Sequence, residues 1–292
     1  MNFIRILTLS RPRFWLYELG TVTIGVLAGM ASVGMGFGDI AEGSSLSLVV
    51  LVYGLYFLIP ANILIYGIND VFDYETDMKN PKKTEYEDVL DPKYHRTVFW
   101  WIGFTTLPFV IYGVFALSLS ALIALGAFVF FAMFYSTPPI RAKARPGLDS
   151  FFSGTHYTVT AVFGYLLVNP DPATINWLLV LAGLLWTVAM HAYSAVPDIQ
   201  ADSDADLKTI ATKLGARKTL HLCMSLYVIS FGLLALYTTP LFLLLALPYV
   251  YLVTRSYAAD DQKLFALYTY FPYLNALMGA IVTLYLLVLV SG

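Results

Sequence analysis

The chain has 292 residues, of which 59% are hydrophobic, 16% aromatic and only 12% charged, whereas soluble domains carry roughly 25% charged residues. A mean hydropathy of +0.71 and a net charge of −2 exclude a disordered protein, a nucleic-acid-binding domain and a secreted disulfide scaffold. The single Cys223 lies in an apolar run and reads as a buried thiol.

The opening MNFIRILTLSRPRFW interrupts its apolar residues with Arg5, Arg11, Pro12 and Arg13, so no removed signal peptide is expected. Apolar runs long enough to cross a ~30 Å hydrocarbon core then follow along the whole sequence. About nine are read, at 14–36, 46–68, 97–117, 119–137, 151–168, 176–196, 219–237, 240–254 and 268–290. Strand-like alternation is absent, so helices are expected and not a β-barrel. The run at 240–254 is short and contains Pro248, which predicts a kinked or partly embedded helix. The predicted class is all-α: a multi-span membrane bundle of about nine transmembrane helices, one domain over 1–292, in contact with a lipid bilayer.

Charge supports the same count. With the N-terminus and every second connection on one side, that side receives all 17 Lys and Arg residues. The opposite connections, near 37–45, 118, 169–175 and 238–240, receive none. Cationic loops resist translocation, so the basic side is predicted to be cytoplasmic and the C-terminus to lie outside.

Acid is concentrated in two places on that same side. The second span closes with Asn69-Asp70-Val-Phe-Asp73-Tyr-Glu75-Thr-Asp77, and the sixth with Asp198-Ile-Gln-Ala-Asp202-Ser-Asp204-Ala-Asp206. On a continuing helix, Asp70, Asp73 and Asp77 share one face, with Asn69 beside it; so do Asp198, Asp202 and Asp206. Like charges at that spacing repel by roughly 0.2–0.5 kcal/mol per pair in water. Hard divalent cations relieve this, and Mg²⁺ takes one or two carboxylates while keeping positions for water and phosphate. Two such faces opposite each other would hold metal ions bridged by a diphosphate. Glu75, Asp204, Glu85, Glu87 and Asp88 are expected to be solvated.

At these residues the chain resembles the UbiA-type intramembrane prenyltransferases, over nearly its whole length. Asn69-Asp70-x-x-Asp73-x-x-x-Asp77 matches the first aspartate-rich motif of that family, and Asp198-x-x-x-Asp202 the second; Lys208-Thr-Ile-Ala-Thr-Lys-Leu-Gly215 is similar to the stretch that follows it. The resemblance implies nine membrane helices and Mg²⁺-dependent transfer of a prenyl group from an allylic diphosphate to an acceptor. It implies that Asn69, Asp70, Asp73, Asp77, Asp198 and Asp202 form the metal and diphosphate site. Asp206 falls outside the matched motif.

Between spans four and five lies Tyr135-Ser-Thr-Pro138-Pro139-Ile-Arg141-Ala-Lys143-Ala-Arg145-Pro-Gly-Leu-Asp149. The paired prolines predict a non-helical turn, and the three cations can neutralise a diphosphate. The family has a similar Tyr…Lys stretch, which implies functional roles for Tyr135, Arg141 and Lys143. Arg145 fits positive-inside anchoring equally well, and Lys208 is a further candidate for reaching phosphate.

Ser10-Arg-Pro-Arg-Phe-Trp15, Asn80-Pro-Lys-Lys and the Tyr135–Asp149 stretch look most like the lycopene elongase branch, which adds dimethylallyl units to lycopene. No Lys or Arg lies inside a predicted span to hold an anionic acceptor, whereas 21 Tyr and 20 Phe are present, and aromatic faces stabilise cations. The expected partners are dimethylallyl diphosphate and lycopene. A quinone-precursor prenyltransferase and a cation-coupled transporter stay open. The transporter is disfavoured because its carboxylates belong at the bilayer midplane. His156, His191, Glu18 and Asn275 are polar groups within or near spans. They serve either a water-positioning base or helix packing.

Overall fold

A computed structural model describes residues 3–41, 45–78 and 89–291. The described residues are helical, with no strand among them. Helix α1 (Phe3–Leu9) and a tight turn at Pro12–Phe14 lead into α2 (Trp15–Val33), which stops at Gly34 with φ 66, a left-handed angle that glycine tolerates without a side-chain clash. After the short α3 (Phe37–Ala41), the second span is made of α4 (Ser45–Leu58) and α5 (Pro60–Phe72). Pro60 begins α5 because it has no N–H to continue α4. Asn62 Nδ2 repairs the joint by donating to Phe57 O at 3.2 Å and Leu58 O at 3.1 Å.

Beyond α6 (Tyr74–Asp77) come α7 (His95–Ala116), α8 (Leu119–Ser136), α9 (Leu148–Val168) and α10 (Trp177–Ser194). Two short helices follow, α11 (Ile199–Asp204) and α12 (Ile210–Leu214), then α13 (Ala216–Tyr237), α14 (Ala246–Tyr257) and α15 (Asp261–Ser291). The predicted weak run is a tight helix at Pro240–Leu245 continued by α14, a two-part segment as expected from its proline content.

Eight stretches among the described residues are long and apolar enough to cross a membrane. The ninth predicted span is α9, whose composition is less apolar: Ser150, Ser153, Thr155, His156, Thr158 and Thr160 all lie on it. It crosses by being covered, since it packs on α2, α8 and α10. At its crossing with α2, Gly25 lies against the Ala161 backbone and Gly164 against the Val22 backbone, and a Cβ at either would overlap a carbonyl oxygen. Small residues at such crossings let membrane helices approach through their backbones.

Two aromatic cores result. One joins α4, α8 and α9 through Tyr53, Tyr56, Phe57, Phe128 and Phe163. The other joins α10, α13, α14 and α15 through Tyr193, Tyr227, Tyr249 and Phe271. Phe104, Phe115, Leu119, Tyr273 and Val288 are exposed on the outside, as lipid-facing side chains are. The chain is an integral, multi-pass membrane protein.

Candidate active site

Helix α5 does not continue through the first aspartate motif. It ends at Phe72, with Asp73 as its cap at φ −105 and ψ 1, and α6 starts afresh at Tyr74. The expected single face of Asp70, Asp73 and Asp77 is therefore broken at its middle member. The break coincides with the burial of Asp73, which is 0% exposed. Asn69 Nδ2 donates to Asp73 Oδ2 at 2.6 Å and to Ser136 Oγ at 3.2 Å, and Ser136 Oγ donates to the same Asp73 oxygen at 3.4 Å. Lys143 Nζ forms an ion pair with Asp73 Oδ2, and Arg141 stands 4.0 Å from Oδ1. A buried carboxylate is tolerated only with such partners.

Asp70 pairs with Arg11 at 2.8 Å. Arg11 has the left-handed φ of 50, and its guanidinium also lies 4.6 Å from the Tyr66 ring centroid. Sequence reasoning counted Arg11 only as a cytoplasmic anchor. The pairing spans 59 residues, and the only signal for it was the Ser10-Arg-Pro-Arg string itself. Asp77 is buried.

The second motif keeps two of the three members of its expected face. Asp198 caps α11 and Asp202 lies one turn on, with Asp202 N bonded to Asp198 O at 2.8 Å. The helix ends at Asp204, and Asp206 has φ 54, so it leaves the face that Asp198 and Asp202 share. Asp202 is pushed up to about 6, first by burial and then by the like charge of Asp198, against the pull of Lys143 and a hydrogen bond from Thr209. Lys143 thus pairs with Asp73 of the first motif and acts on Asp202 of the second. It stands where the two motifs approach each other.

The segment between α8 and α9 carries Lys143 into that position. Its Pro138–Pro139 peptide is cis, Arg141 takes the left-handed φ of 42, and Ala142–Ala144 forms a tight turn. Arg145 is exposed and donates to Pro139 O at 3.0 Å. Asp149, 0% exposed, accepts from Gly147 N at 2.7 Å and from Ile210 N at 2.8 Å. It fastens this loop to the one after the second motif. Tyr135 lies within electrostatic reach of Asp149, Asp73 and Asp202. Its hydroxyl meets His191 Nε2 at 2.9 Å, and His191 Nδ1 meets Ser150 Oγ at 3.0 Å. Asp149, Ser136 and Ser150 were not singled out from sequence, because a polar residue at a helix end has no periodic signature.

Lys208 is not drawn into the cluster. It is exposed and lines a surface groove with Pro146, Asp206 and Lys213. Glu75 and Asp204 are exposed, as expected. Lys79, Asn80, Lys82, Lys83, Glu85, Glu87 and Asp88 lie outside the described residues.

Among the described residues, no three His, Cys, Asp or Glu side chains converge as a ready metal cage. The oxygen donors fit Mg²⁺ in a different way. Asp198 and Asp202 crowd each other with like charge, and Mg²⁺ needs only one or two carboxylates when phosphate supplies the rest.

The sequence profile of the UbiA prenyltransferase family matches residues 24–275. The chain belongs to the UbiA prenyltransferase family. It is a prenyltransferase, and its curated relatives fall in the lycopene elongase branch. One, named lycopene elongase/hydratase, from Halobacterium salinarum, is 37% identical over 283 residues, covering 94% of each chain. Another of that name, from Corynebacterium glutamicum, is 36% identical over 240 residues, 80% of this chain and 83% of its own. A UbiA homolog from Archaeoglobus fulgidus has been solved bound to GPP and Mg²⁺. That structure covers 99% of this chain and 100% of its own, at TM-score 0.71 and 16% identity. The same homolog bound to DMAPP and Mg²⁺ covers 98% and 99%, at TM-score 0.68 and 17% identity. At that identity the likeness concerns the UbiA fold alone.

Proposed function

We propose that this UbiA-family enzyme transfers a dimethylallyl group from dimethylallyl diphosphate to the end of lycopene, with Mg²⁺, at the cytoplasmic face of the bilayer. One observation carries the reading: Lys143 pairs with Asp73 of the first aspartate motif and lies within electrostatic reach of Asp202 of the second, at one end of an aromatic helix bundle. The relatives named lycopene elongase/hydratase support lycopene as the acceptor, and the homolog bound to DMAPP and Mg²⁺ supports the donor and the metal.

Asn69, Asp70, Asp73, Asp77, Asp198 and Asp202 would hold Mg²⁺ against the diphosphate, and the metal would take up charge developing on the departing oxygens. Arg141 and Lys143 add positive charge at the same place. Tyr135, held by His191, adds a hydroxyl near the same aspartates. The allylic C–O bond breaks and its electron pair leaves with the diphosphate. The π pair of a terminal acceptor alkene then forms the new C–C bond, leaving a tertiary cation on the acceptor. Aromatic faces stabilise both cations better than water-exposed groups would, because they attract positive charge without reacting with it.

The test is purified protein in liposomes with Mg²⁺, dimethylallyl diphosphate and lycopene, read by mass spectrometry for added five-carbon units. Asp70→Ala and Asp198→Ala are expected to lower product about 100-fold or more, as losses of transition-state charge stabilisation do. Chelation of Mg²⁺ is expected to abolish product, and its return to restore it. Diphosphate release with a phenolic acceptor and none with lycopene would overturn the carotenoid reading.

A further inference from the structure

Glu18 on α2 and His156 on α9 form a buried pair inside the bundle, with His156 Nδ1 2.9 Å from Glu18 Oε1 and exposures of 6% and 1%. Neither belongs to the aspartate motifs. His156 lies eight residues into α9, which places it about 12 Å along the helix from its cytoplasmic start. An unbroken set of side chains joins the pair to the diphosphate site. Arg11 holds Asp70 and covers Tyr66; Phe14 stacks on Tyr66 at 5.7 Å and meets Tyr17 at the same distance. Tyr17 lies 6.2 Å from Tyr157, whose ring is 4.1 Å from that of His156. The pair is at the inner end of this aromatic wall.

Glu18 Oε2 is buried with no hydrogen-bond partner. Two more buried groups share that condition, the Tyr56 hydroxyl on α4 and the Thr106 hydroxyl on α7. Tyr56 lies within electrostatic reach of Glu18 and faces Thr106. Polar side chains from three helices therefore lie in one region, where Phe128 stands between Tyr56 at 6.3 Å and His156 at 6.5 Å between ring centroids. Buried polar atoms of this kind are satisfied by water or by a ligand's polar group, and a carboxylate there costs several kcal/mol unless it has a use. Packing alone would be served by an apolar pair of the same volume.

We propose that Glu18, oriented by His156, accepts the proton of the water molecule that quenches the tertiary cation left by prenyl transfer. This rests on the carotenoid prenyltransferase reading above. The water oxygen donates its lone pair to form the C–O bond, Glu18 Oε2 takes the proton, and the product is a tertiary alcohol one water heavier than the alkene alternative. Tyr56 and Thr106 hold the water's other positions. The Glu18–His156 pair then returns its proton to solvent before the next cycle. The aromatic wall determines where the cation forms, and the pair determines how it ends.

The experiment uses the full chain in liposomes with Mg²⁺, dimethylallyl diphosphate and lycopene, measuring diphosphate release and the hydrated-to-unhydrated product ratio together. Glu18→Gln keeps the shape and loses the proton acceptor. It is expected to lower the ratio about 100-fold, with diphosphate release continuing and the unhydrated alkene accumulating. Tyr56→Phe and Thr106→Val remove one hydroxyl each and are expected to lower the ratio in the same direction, so a misfolded Glu18 variant leaves the proposal testable. Glu18→Asp is expected to restore part of the ratio. An unchanged ratio in any variant that still releases diphosphate overturns the role of the pair, as does wild-type protein that prenylates lycopene without hydrating it. Wild-type protein that neither prenylates lycopene nor releases diphosphate with it overturns the carotenoid reading itself.

Discussion

Lys143 shows how one side chain can carry both balance and chemistry. It is about one-tenth exposed, and its partner Asp73 is not exposed at all. Removing one member of such a pair leaves the other buried and uncompensated, at a cost of about 3–5 kcal/mol. Lys143→Ala is therefore expected to lower the thermal midpoint as well as activity, whereas Lys208→Ala, at an exposed site, is expected to leave the midpoint unchanged. Differential scanning of the two variants in detergent checks this. The sequence pointed to Lys143 through the Tyr…Lys stretch of the family it resembles. It revealed Arg11 only as a positive charge, because an ion pair to Asp70 closes over a distance in sequence that no local pattern encodes. Motif membership was legible and long-range partnership was not.

At the scale of elements, the spans were legible and their interruptions only partly so. Apolar length predicted nine crossings, and Pro248 marked one place where a helix could be kinked, while the break at Pro60 inside the second span was not foreseen. The end of α5 at Asp73 was missed, since Asp-x-x-Asp-x-x-x-Asp reads equally well as a continuous helix. The joint at Pro60 depends on Asn62, whose amide satisfies two carbonyls in the membrane interior. Asn62→Leu is expected to cost about 1–3 kcal/mol, the penalty for buried groups left unpaired, visible as a lower unfolding midpoint. Asp149 bridges the loops around the two sides of the site through Gly147 N and Ile210 N. Asp149→Ala is expected to reduce diphosphate turnover without touching either aspartate motif, while Asp204→Ala, bonded only to Gln200 at an exposed site, leaves turnover intact.

For the whole molecule, the charge asymmetry of the sequence predicts an orientation and the helix crossings fix shape. All 17 cations lie on connections of one parity, so a reporter fused after residue 292 is expected outside the cell and one at residue 1 inside. The crossing of α2 and α9 cannot be read from hydropathy, because α9 is the least apolar span and its glycines have no signal of their own. Gly25→Leu and Gly164→Leu are each expected to cost about 3 kcal/mol or more through overpacking. The check is the yield of folded protein after extraction, where loss of the crossing would also separate Glu18 from His156.

That last pairing has a consequence for how the chain is built. Glu18 is synthesised 138 residues before His156, so α2 enters the bilayer carrying a carboxyl group whose partner does not yet exist. An acidic residue in that position resists lateral release into lipid, and α9, with its hydroxyls and histidine, is poorly suited to partition on its own. Each helix is the other's passport. Biogenesis must keep α2 sheltered until α9 arrives, and nascent chains cut short before residue 156 are expected to leave α2 extractable by alkali, with full-length chains resistant.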